Sequence, residues 1–551
     1  MTNPPPEDGQ STLVWTDATR VLAVGGPGSG KTQAALKLAG RLIEVEPKGS
    51  GRVVLFLTFS RAAVSELLDR MPTLLPRQYR QHLEMSTFHS FARTLLDEFG
   101  RFDGGSSEPL EITSREEKKL GLSPEGSVDL DNLVPAAVAL LTKAAWIRER
   151  FQRRFIAVIC DEYQDTGNAQ HQLLEILAGG SRLICLADPD QMIYDFIPDV
   201  SAQRLANYRA TGPEIIELEP LSYRDPTGLI PSVARAIRDR RFDDPAFAEA
   251  LGNGRLRIHT NVEPLYPGVV AEVRALRASG HVSVGVFVTK KMFVEELGRE
   301  LGEAGIDHEI AGLDGAAGEA ETVLGTMALF AVGLASWDEV CQRMAVFLTA
   351  SQPRTDVPNV ARMLIGSRKY MSGSLPAQLE SLQKSLIALV DRPTEEIYPL
   401  ADAFMVRFDW GKRLWRTGSR DLASQTIAIA EDPLDLKTAV GLNAVAQRRK
   451  TDGYIDDFGT PRLPVRLMTT HQAKGREMDA VVLVHHNDDY IRADELDKLK
   501  RVHFVAVSRA RKTVSIILPS RPNAMLRAYA TLGRPAAAQP TLGLTRPRRV
   551  K

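Results

Sequence analysis

A chain of 551 residues with 44% apolar content is long enough to bury several cores, and the usual domain size suggests three or four domains. Lys plus Arg and Asp plus Glu each number 69, which excludes a global positive field; a nucleic-acid partner would have to be held by local basic patches. The three cysteines, Cys160, Cys185 and Cys341, have no metal-ligand spacing, which excludes a zinc site or disulfide frame and fits a reducing, cytoplasmic compartment.

From the N-terminus, MTNPPPEDGQ lacks the apolar stretch of a targeting segment, and no later run approaches the roughly 18 apolar residues of a membrane helix. Short apolar runs then alternate with longer amphipathic stretches, the pattern of parallel sheets covered by helices. The runs predict strands at Arg20 to Val24, Val53 to Thr58, Ile156 to Cys160 and Leu183 to Ala187, and, after Asn207, at Ile215 to Leu218, Val282 to Val288, Ala480 to Val484 and Val514 to Leu518. Two stretches, roughly Arg101 to Glu149 and Glu321 to Tyr454, read as mainly helical insertions, and within the second Leu, Val, Phe and Ala recur at helical spacing over Thr326 to Ala350 and Leu375 to Val390. The expected division is a first α/β core over 1–99 and 150–207 with a short helical insertion over 100–149, then a second over 208–320 and 455–532 with an insertion over 321–454. The Ala, Pro and Arg-rich stretch 533–551 reads as a flexible basic tail.

The strongest local signal is Gly25-Gly26-Pro27-Gly28-Ser29-Gly30-Lys31-Thr32, lying between the apolar run VLAV and the helical stretch QAALKLAG. A glycine-rich turn between strand and helix lets successive backbone N–H groups face phosphates, aided by the positive helix end. Lys31 then supplies a point charge and the Thr32 hydroxyl a ligand for Mg²⁺. Such a loop works with carboxylates on a nearby strand, and AVICDEYQDT offers Asp161 for the cation and Glu162 as general base. A third strand ends in Ala187-Asp188-Pro189-Asp190-Gln191, from which Gln191 can reach the terminal phosphate.

In this order the motifs resemble the UvrD/Rep/PcrA-type helicases of superfamily 1, from Gln10 to Arg509. Leu57-Thr58-Phe59-Ser60-Arg61-Ala62-Ala63 and Ser86-Thr87-Phe88-His89-Ser90 resemble the family's first DNA-contacting motifs. Asp161 to Thr166 (DEYQDT), Asp188 to Tyr194, Ser222-Tyr223-Arg224, Thr469 to Glu477 (TTHQAKGRE) and Phe504 to Ala510 (FVAVSRA) resemble later ones. The resemblance implies two RecA-like P-loop domains, each interrupted by a mainly helical insertion, with ATP in the cleft between them. It implies that Gln10 reads the base, that Gln33 joins the P-loop residues at the nucleotide, and that Arg224 and Arg509 approach the γ-phosphate from the second domain. Gln191, Lys474 and Glu477 become secondary contacts to nucleotide or hinge, and Phe59, Thr87, His89, Tyr194, Phe196, Thr469 and His471 a single-strand track.

The resemblance further implies an ATP- and Mg²⁺-dependent DNA helicase moving 3′-to-5′ on single-stranded DNA, acting on duplexes with a 3′ tail as a monomer or weak dimer, with possible repair or replication protein partners. The sequence departs from the family at Phe196-Ile197-Pro198, where an aromatic followed by Arg-Gly is usual, and in the shortness of the first insertion. The second departure keeps open an alternative, a DNA-stimulated ATPase that strips proteins or serves as a repair or phage-defence subunit without unwinding alone.

Overall fold

A computed structural model describes residues 8–100, 112–123, 127–194, 199–201, 203–219, 222–311, 314–351, 359–366, 375–405, 415, 432–455, 463–486, 496–522 and 524–532. Fourteen strands follow in chain order. They are β1 (Arg20–Val24), β2 (Val53–Thr58), β3 (Leu83–Thr87), β4 (Ile112–Thr113), β5 (Val128–Asp129), β6 (Phe155–Cys160), β7 (Arg182–Ala187), β8 (Glu214–Glu217), β9 (Leu256–His259), β10 (Val284–Val288), β11 (His308–Ile310), β12 (Val465–Thr469), β13 (Met478–Val484) and β14 (Ala510–Ile517). Twelve of them build two six-stranded sheets, ordered β3-β2-β6-β7-β1-β8 and β11-β12-β10-β13-β14-β9. All pairings within both sheets are parallel.

A central parallel strand has both faces covered, so it reads as a continuous apolar run rather than as alternation. β13 and β10 are buried along their whole length. Successive side chains of such a strand enter different cores: Leu22 of β1 packs with Phe88, Leu133 and Phe155, whereas Val21 and Ala23 pack with Leu36, Phe56 and Ile159. The second sheet is covered likewise, by Phe247, Phe504 and Tyr529 on one face and by Val273, Leu297 and Leu301 on the other. Because the strands are parallel, the loops at their C-terminal ends gather along one edge of each sheet, the place where ligands bind in such folds.

The structure corrects the expected division at four points. The run at 215–218 forms β8, which pairs with β1 in the first sheet, so the first core continues past 207. The helices Leu133–Lys143 and Ala145–Arg154, expected in the first insertion, bury Leu133, Leu140, Leu141, Ile147 and Phe151 in the core of the first sheet. Within that stretch, expected to be mainly helical, β4 and β5 also form a short parallel pair. The second insertion begins by Asp314 rather than 321, with a helix over Asp314–Ala331.

The helical stretch expected over Thr326 to Ala350 is two helices, the second, Trp337–Ala350, opened by Ser336 and Glu339 in a reciprocal cap. These helices, with Leu375–Ile387, Ile397–Met405 and Leu436–Ile455, enclose a core of their own around Met327, Phe347 and Trp415. The insertions touch: Glu117, on the helix Arg115–Leu120, pairs with Arg343, and Leu120 packs on the second insertion's core. The tail 533–551 and Phe196 lie outside the described residues. Among the described residues no single helix is long and apolar enough to cross a membrane.

Candidate nucleotide site and the seam between the sheets

The loop between β1 and the helix Lys31–Val45 turns through Gly28 and Gly30, at φ of +74° and +84°. Only glycine takes this conformation without strain. A side chain on Gly30 would also meet Gln10, whose amide donates to the Ser29 carbonyl at 2.8 Å. Gly25 donates its N–H to Ala187 at the end of β7, which pins the loop to the sheet. The Lys31 ammonium donates to the carbonyls of Gly25 at 2.6 Å and Gly26 at 2.9 Å.

Opposite the loop, Asp161 and Glu162 directly follow β6. In the sheet order β7 stands between β6 and β1, so the carboxylates face the loop across one intervening strand. The Thr32 hydroxyl donates to Asp161 Oδ2 at 2.9 Å. Burial, and then the neighbouring Glu162, push the Asp161 carboxyl up to about 6. A hydroxyl beside a half-buried carboxylate is the hard oxygen donor set that Mg²⁺ prefers. The buried Ser29 hydroxyl has no hydrogen-bond partner among the described residues, as suits a loop built to meet phosphate oxygens. These residues therefore fit a nucleotide and its metal ion.

Glu162 stands at φ +54°, a conformation unusual for a non-glycine residue that turns its side chain toward Gln164 and Lys474. The Gln164 amide donates to Glu162 Oε2 at 2.6 Å, and Lys474 Nζ lies 3.4 Å from the same oxygen. Burial raises the Glu162 carboxyl, but Lys474, Lys31 and Arg509 outweigh it and hold the group below its ordinary value.

The second sheet's loops close the site. Arg509, just ahead of β14, is 3% exposed and donates to the side-chain oxygen of Gln191. Burial, then Arg224, lower its guanidinium to about 10, so it stays charged near neutral pH. Gln191 in turn donates to Asp188 at 2.5 Å. Arg224 was expected on the second domain's wall. It stands instead on the connector that follows β8 of the first sheet, where the Tyr223 N–H donates to Gly28 at 2.8 Å. From there its guanidinium spans to the second sheet, donating to the Ser508 carbonyl at 2.6 Å and to Glu477 at 2.5 Å.

Glu477 also meets Arg70 at 2.7 Å and Arg511 at 2.8 Å. Burial raises its carboxyl, yet Arg224 and Arg70 prevail and hold it far below the carboxylate range. A cleft of about 450 Å³ opens here, lined by the P-loop from Gly28 to Gln33 and by Arg70, Tyr223, Arg224, Glu477 and Arg511. Three of these residues were not expected from the sequence. Tyr223 carries a signal, being the aromatic inside the Ser222-Tyr223-Arg224 motif, whereas Arg70 and Arg511 look like ordinary helix and strand charges.

Lys474, expected at the nucleotide or the hinge, spans the two lobes: it forms a buried ion pair with Asp165 and donates to the Gln191 backbone carbonyl at 2.6 Å. Its ammonium lies 5.4 Å from the centre of the Tyr194 ring. Tyr194 stacks on Phe59 with ring centres 5.0 Å apart and donates its hydroxyl to the His471 carbonyl at 3.1 Å. Phe59, Tyr194 and His471 thus meet at one seam. His89 is apart from them, facing Asp131 and Arg115 of the first insertion. Thr87 and Thr469 are buried and spend their hydroxyls locally, on the Ser90 N–H and on Gln472.

Two parallel-sheet lobes, a glycine-rich loop at the edge of one and a cleft closed by arginines, define a P-loop NTPase of the two-domain motor class. Residues 7–123 and 113–198 match the model of the UvrD/REP helicase N-terminal domain, and residues 447–521 that of the UvrD-like helicase C-terminal domain. The ATP-dependent DNA helicase UvrD1 of Mycobacterium tuberculosis is 22% identical over 640 residues, spanning 92% of this chain and 81% of the relative. DNA helicase II of Haemophilus influenzae is 25% identical over 34% of this chain and 36% of its own length. ATP-dependent DNA helicase PcrA of Staphylococcus aureus is 26% identical over 34% of this chain and 33% of its own. The chain belongs to the UvrD-like family of ATP-dependent DNA helicases.

Proposed function

We propose that this protein is a translocase that moves 3′-to-5′ along single-stranded DNA and couples ATP hydrolysis to closure of the cleft between its two lobes. The observation that carries the reading is the shared site. Lys31 and Asp161 stand at the edge of the first sheet, Glu477 lines the cleft over the P-loop from the second, and Arg509, also of the second, bonds Gln191 beside Asp188 of the first. In this reading Gln10 and Gly25, Gly26, Pro27, Gly28, Ser29 and Gly30 hold base and phosphates, with Gln33 beside them. Lys31 neutralises the β- and γ-phosphates, Thr32 and Asp161 hold Mg²⁺, and Glu162 orients the attacking water. Bound Mg²⁺ would withdraw charge from the phosphate oxygens. Arg224 and Arg509 stabilise charge that grows in the transition state, with Gln191 setting the position of Arg509. Because Arg509 comes from the other sheet, hydrolysis is efficient only when the lobes meet.

Phe59 and Tyr194, which meet His471 at the seam, would carry the strand, since base stacking tolerates any sequence; only the family resemblance adds Phe196, Thr469, Thr87 and His89. The direction of movement rests on the family resemblance alone. The short first insertion favours the second reading, a strand-stimulated ATPase that strips proteins or works within a repair or defence assembly. A tailed-duplex assay with ATP and Mg²⁺ separates the claims. Displacement from the 3′-tailed duplex supports 3′-to-5′ unwinding, displacement only from the 5′-tailed one reverses the polarity, and turnover without displacement supports the second reading.

A further inference from the structure

The helix Ala145–Arg154 runs directly into β6 at Phe155, so it meets that strand at the end opposite Asp161. Six strand residues at about 3.3 Å each place its last turn roughly 20 Å from the nucleotide edge of the sheet. Its first turn carries Trp146, which meets Phe99, the last residue of the helix Phe88–Phe99 that starts from the nucleotide edge after β3. Neither the nucleotide cleft nor the stack of Phe59 and Tyr194 draws a residue from this surface.

Helical spacing sets Trp146, Arg150 and Arg153 on one face, at i, i+4 and i+7, and turns Ile147 and Phe151 into the core. The indole of Trp146 is anchored edge-to-face on Phe99, with ring centres 6.0 Å apart, yet the residue stays 50% exposed. Phe99 is held in turn against Phe151 at 5.6 Å. The chain bends by 104° as it enters this helix, and Arg148 braces the elbow by donating to the Leu141 and Thr142 carbonyls at 3.0 and 3.2 Å. An indole fixed on a braced elbow loses little freedom when a flat partner stacks on it.

The helix holds four arginines and one glutamate, in a chain whose net charge is zero. Arg154 is matched by Glu84 at 2.7 Å and Arg153 by Glu149 at 3.5 Å, the latter an exposed pair of little worth that yields readily to a phosphate. Arg148 spends its donors on uncharged carbonyls, and Arg150 and Lys143 are exposed at the same elbow. A planar guanidinium binds phosphate through two bonds, and the face of an indole takes an unpaired base of any sequence. A duplex offers the phosphates but keeps the faces of its bases stacked on each other, so the surface suits a single strand.

We propose that this face of the helix Ala145–Arg154 is a second binding site for single-stranded nucleic acid, with a base on Trp146 and phosphates on Arg150 and Arg153. From Trp146 to Arg153 the helix rises about 10 Å, room for two or three nucleotides. The site holds a part of the strand remote from the part at the seam, and two linked contacts on one strand bind more tightly than either alone. The inference goes beyond the proposed function and depends on neither its polarity nor its catalytic assignments.

The test titrates the full chain with fluorescein-labelled oligodeoxythymidine of about 8 and about 60 nucleotides, the first enough for one site and the second for both. In Trp146→Ala the affinity for the long strand, read by anisotropy, falls roughly tenfold, the scale of one base losing its aromatic platform. The affinity for the short strand, and the ATP turnover measured with it, stay within about twofold, because the seam is untouched. In Arg150→Gln the slope of log affinity for the long strand against log salt becomes shallower by roughly 0.7, the share of one phosphate. A long strand carrying 5-iododeoxyuridine, irradiated on the unaltered protein, crosslinks within residues 145–154.

Long-strand affinity and salt slope unchanged in the two variants, with no crosslink in that helix, overturn the inference and leave the seam assignment standing. A short strand that loses its affinity in Trp146→Ala places the residue on the main track and overturns it as well. Polyglutamate that binds in an Arg150-dependent way, on a helix that takes no crosslink, marks a site for an acidic protein and is equally fatal. Should Trp146→Ala fail to melt cooperatively, Arg150→Gln and the crosslink decide.

Discussion

Replacing Arg509 with Ala removes the buried second-sheet cation that bonds Gln191, and its consequences can be worked from the structure. The side chain is 3% exposed, donates to Gln191 and to the Val505 carbonyl at 3.1 Å, and remains charged near neutral pH despite burial. Its structural cost is that of a lost buried hydrogen-bond partner, about 1–3 kcal/mol, which a domain of this size tolerates. Its catalytic cost is larger. An arginine supplied to a transferring phosphoryl group is worth roughly 10³–10⁵ in kcat, or about 4–7 kcal/mol of barrier.

Single-turnover hydrolysis by rapid quench should therefore slow by at least about a thousandfold in Arg509→Ala, while binding of a fluorescent ATP analogue weakens far less. Arg509→Lys should recover only part of the loss, because an ammonium keeps the charge without the planar fork. A kcat within about threefold of the unaltered protein would refute the reasoning, since less than about 1 kcal/mol would then separate the two barriers.

Glu477→Gln removes the anion that holds Arg70, Arg224 and Arg511 together. A carboxyl whose folded value lies below its unfolded value of 4.5 adds stability above that value and loses it as pH falls toward the folded one. The variant should be less stable by roughly 1–3 kcal/mol in urea unfolding at pH 7, with the difference shrinking below about pH 4.5; a gap that widens in acid would contradict the assignment. Gly30→Ala would drive a methyl group into the Gln10 amide nitrogen at φ +84°. Urea unfolding should register a loss of about 1–3 kcal/mol, and nucleotide titration at least a tenfold loss of affinity.

The legible parts of this site are local in sequence. The P-loop and the Asp161-Glu162 pair each occupy a few consecutive residues at a strand end, so their chemistry is written in one short stretch. The pairing of Lys474 with Asp165 spans 309 positions, and only the buried Asp165, which needs a countercharge, explains why the lysine turns there rather than toward the nucleotide. Strands went unread mainly at the sheet edges, where β9 has four residues and β11 three. β12, one place in from the edge, carries Arg466, which pairs with Glu309 and interrupts the apolar run. The helix Leu133–Lys143 is apolar enough to read as buried, but nothing in its pattern says which core it joins; packing on the first sheet does.

The central claim is that the cleft between the two sheets burns ATP in response to single-stranded DNA. Its most direct test is the steady-state ATPase rate of the full chain, titrated in parallel with single-stranded DNA, single-stranded RNA and blunt duplex in the presence of Mg²⁺. The account predicts a saturable rise with single-stranded DNA that disappears in Lys31→Ala. A rate that stays flat with every polymer, or one that rises undiminished in Lys31→Ala, would contradict it.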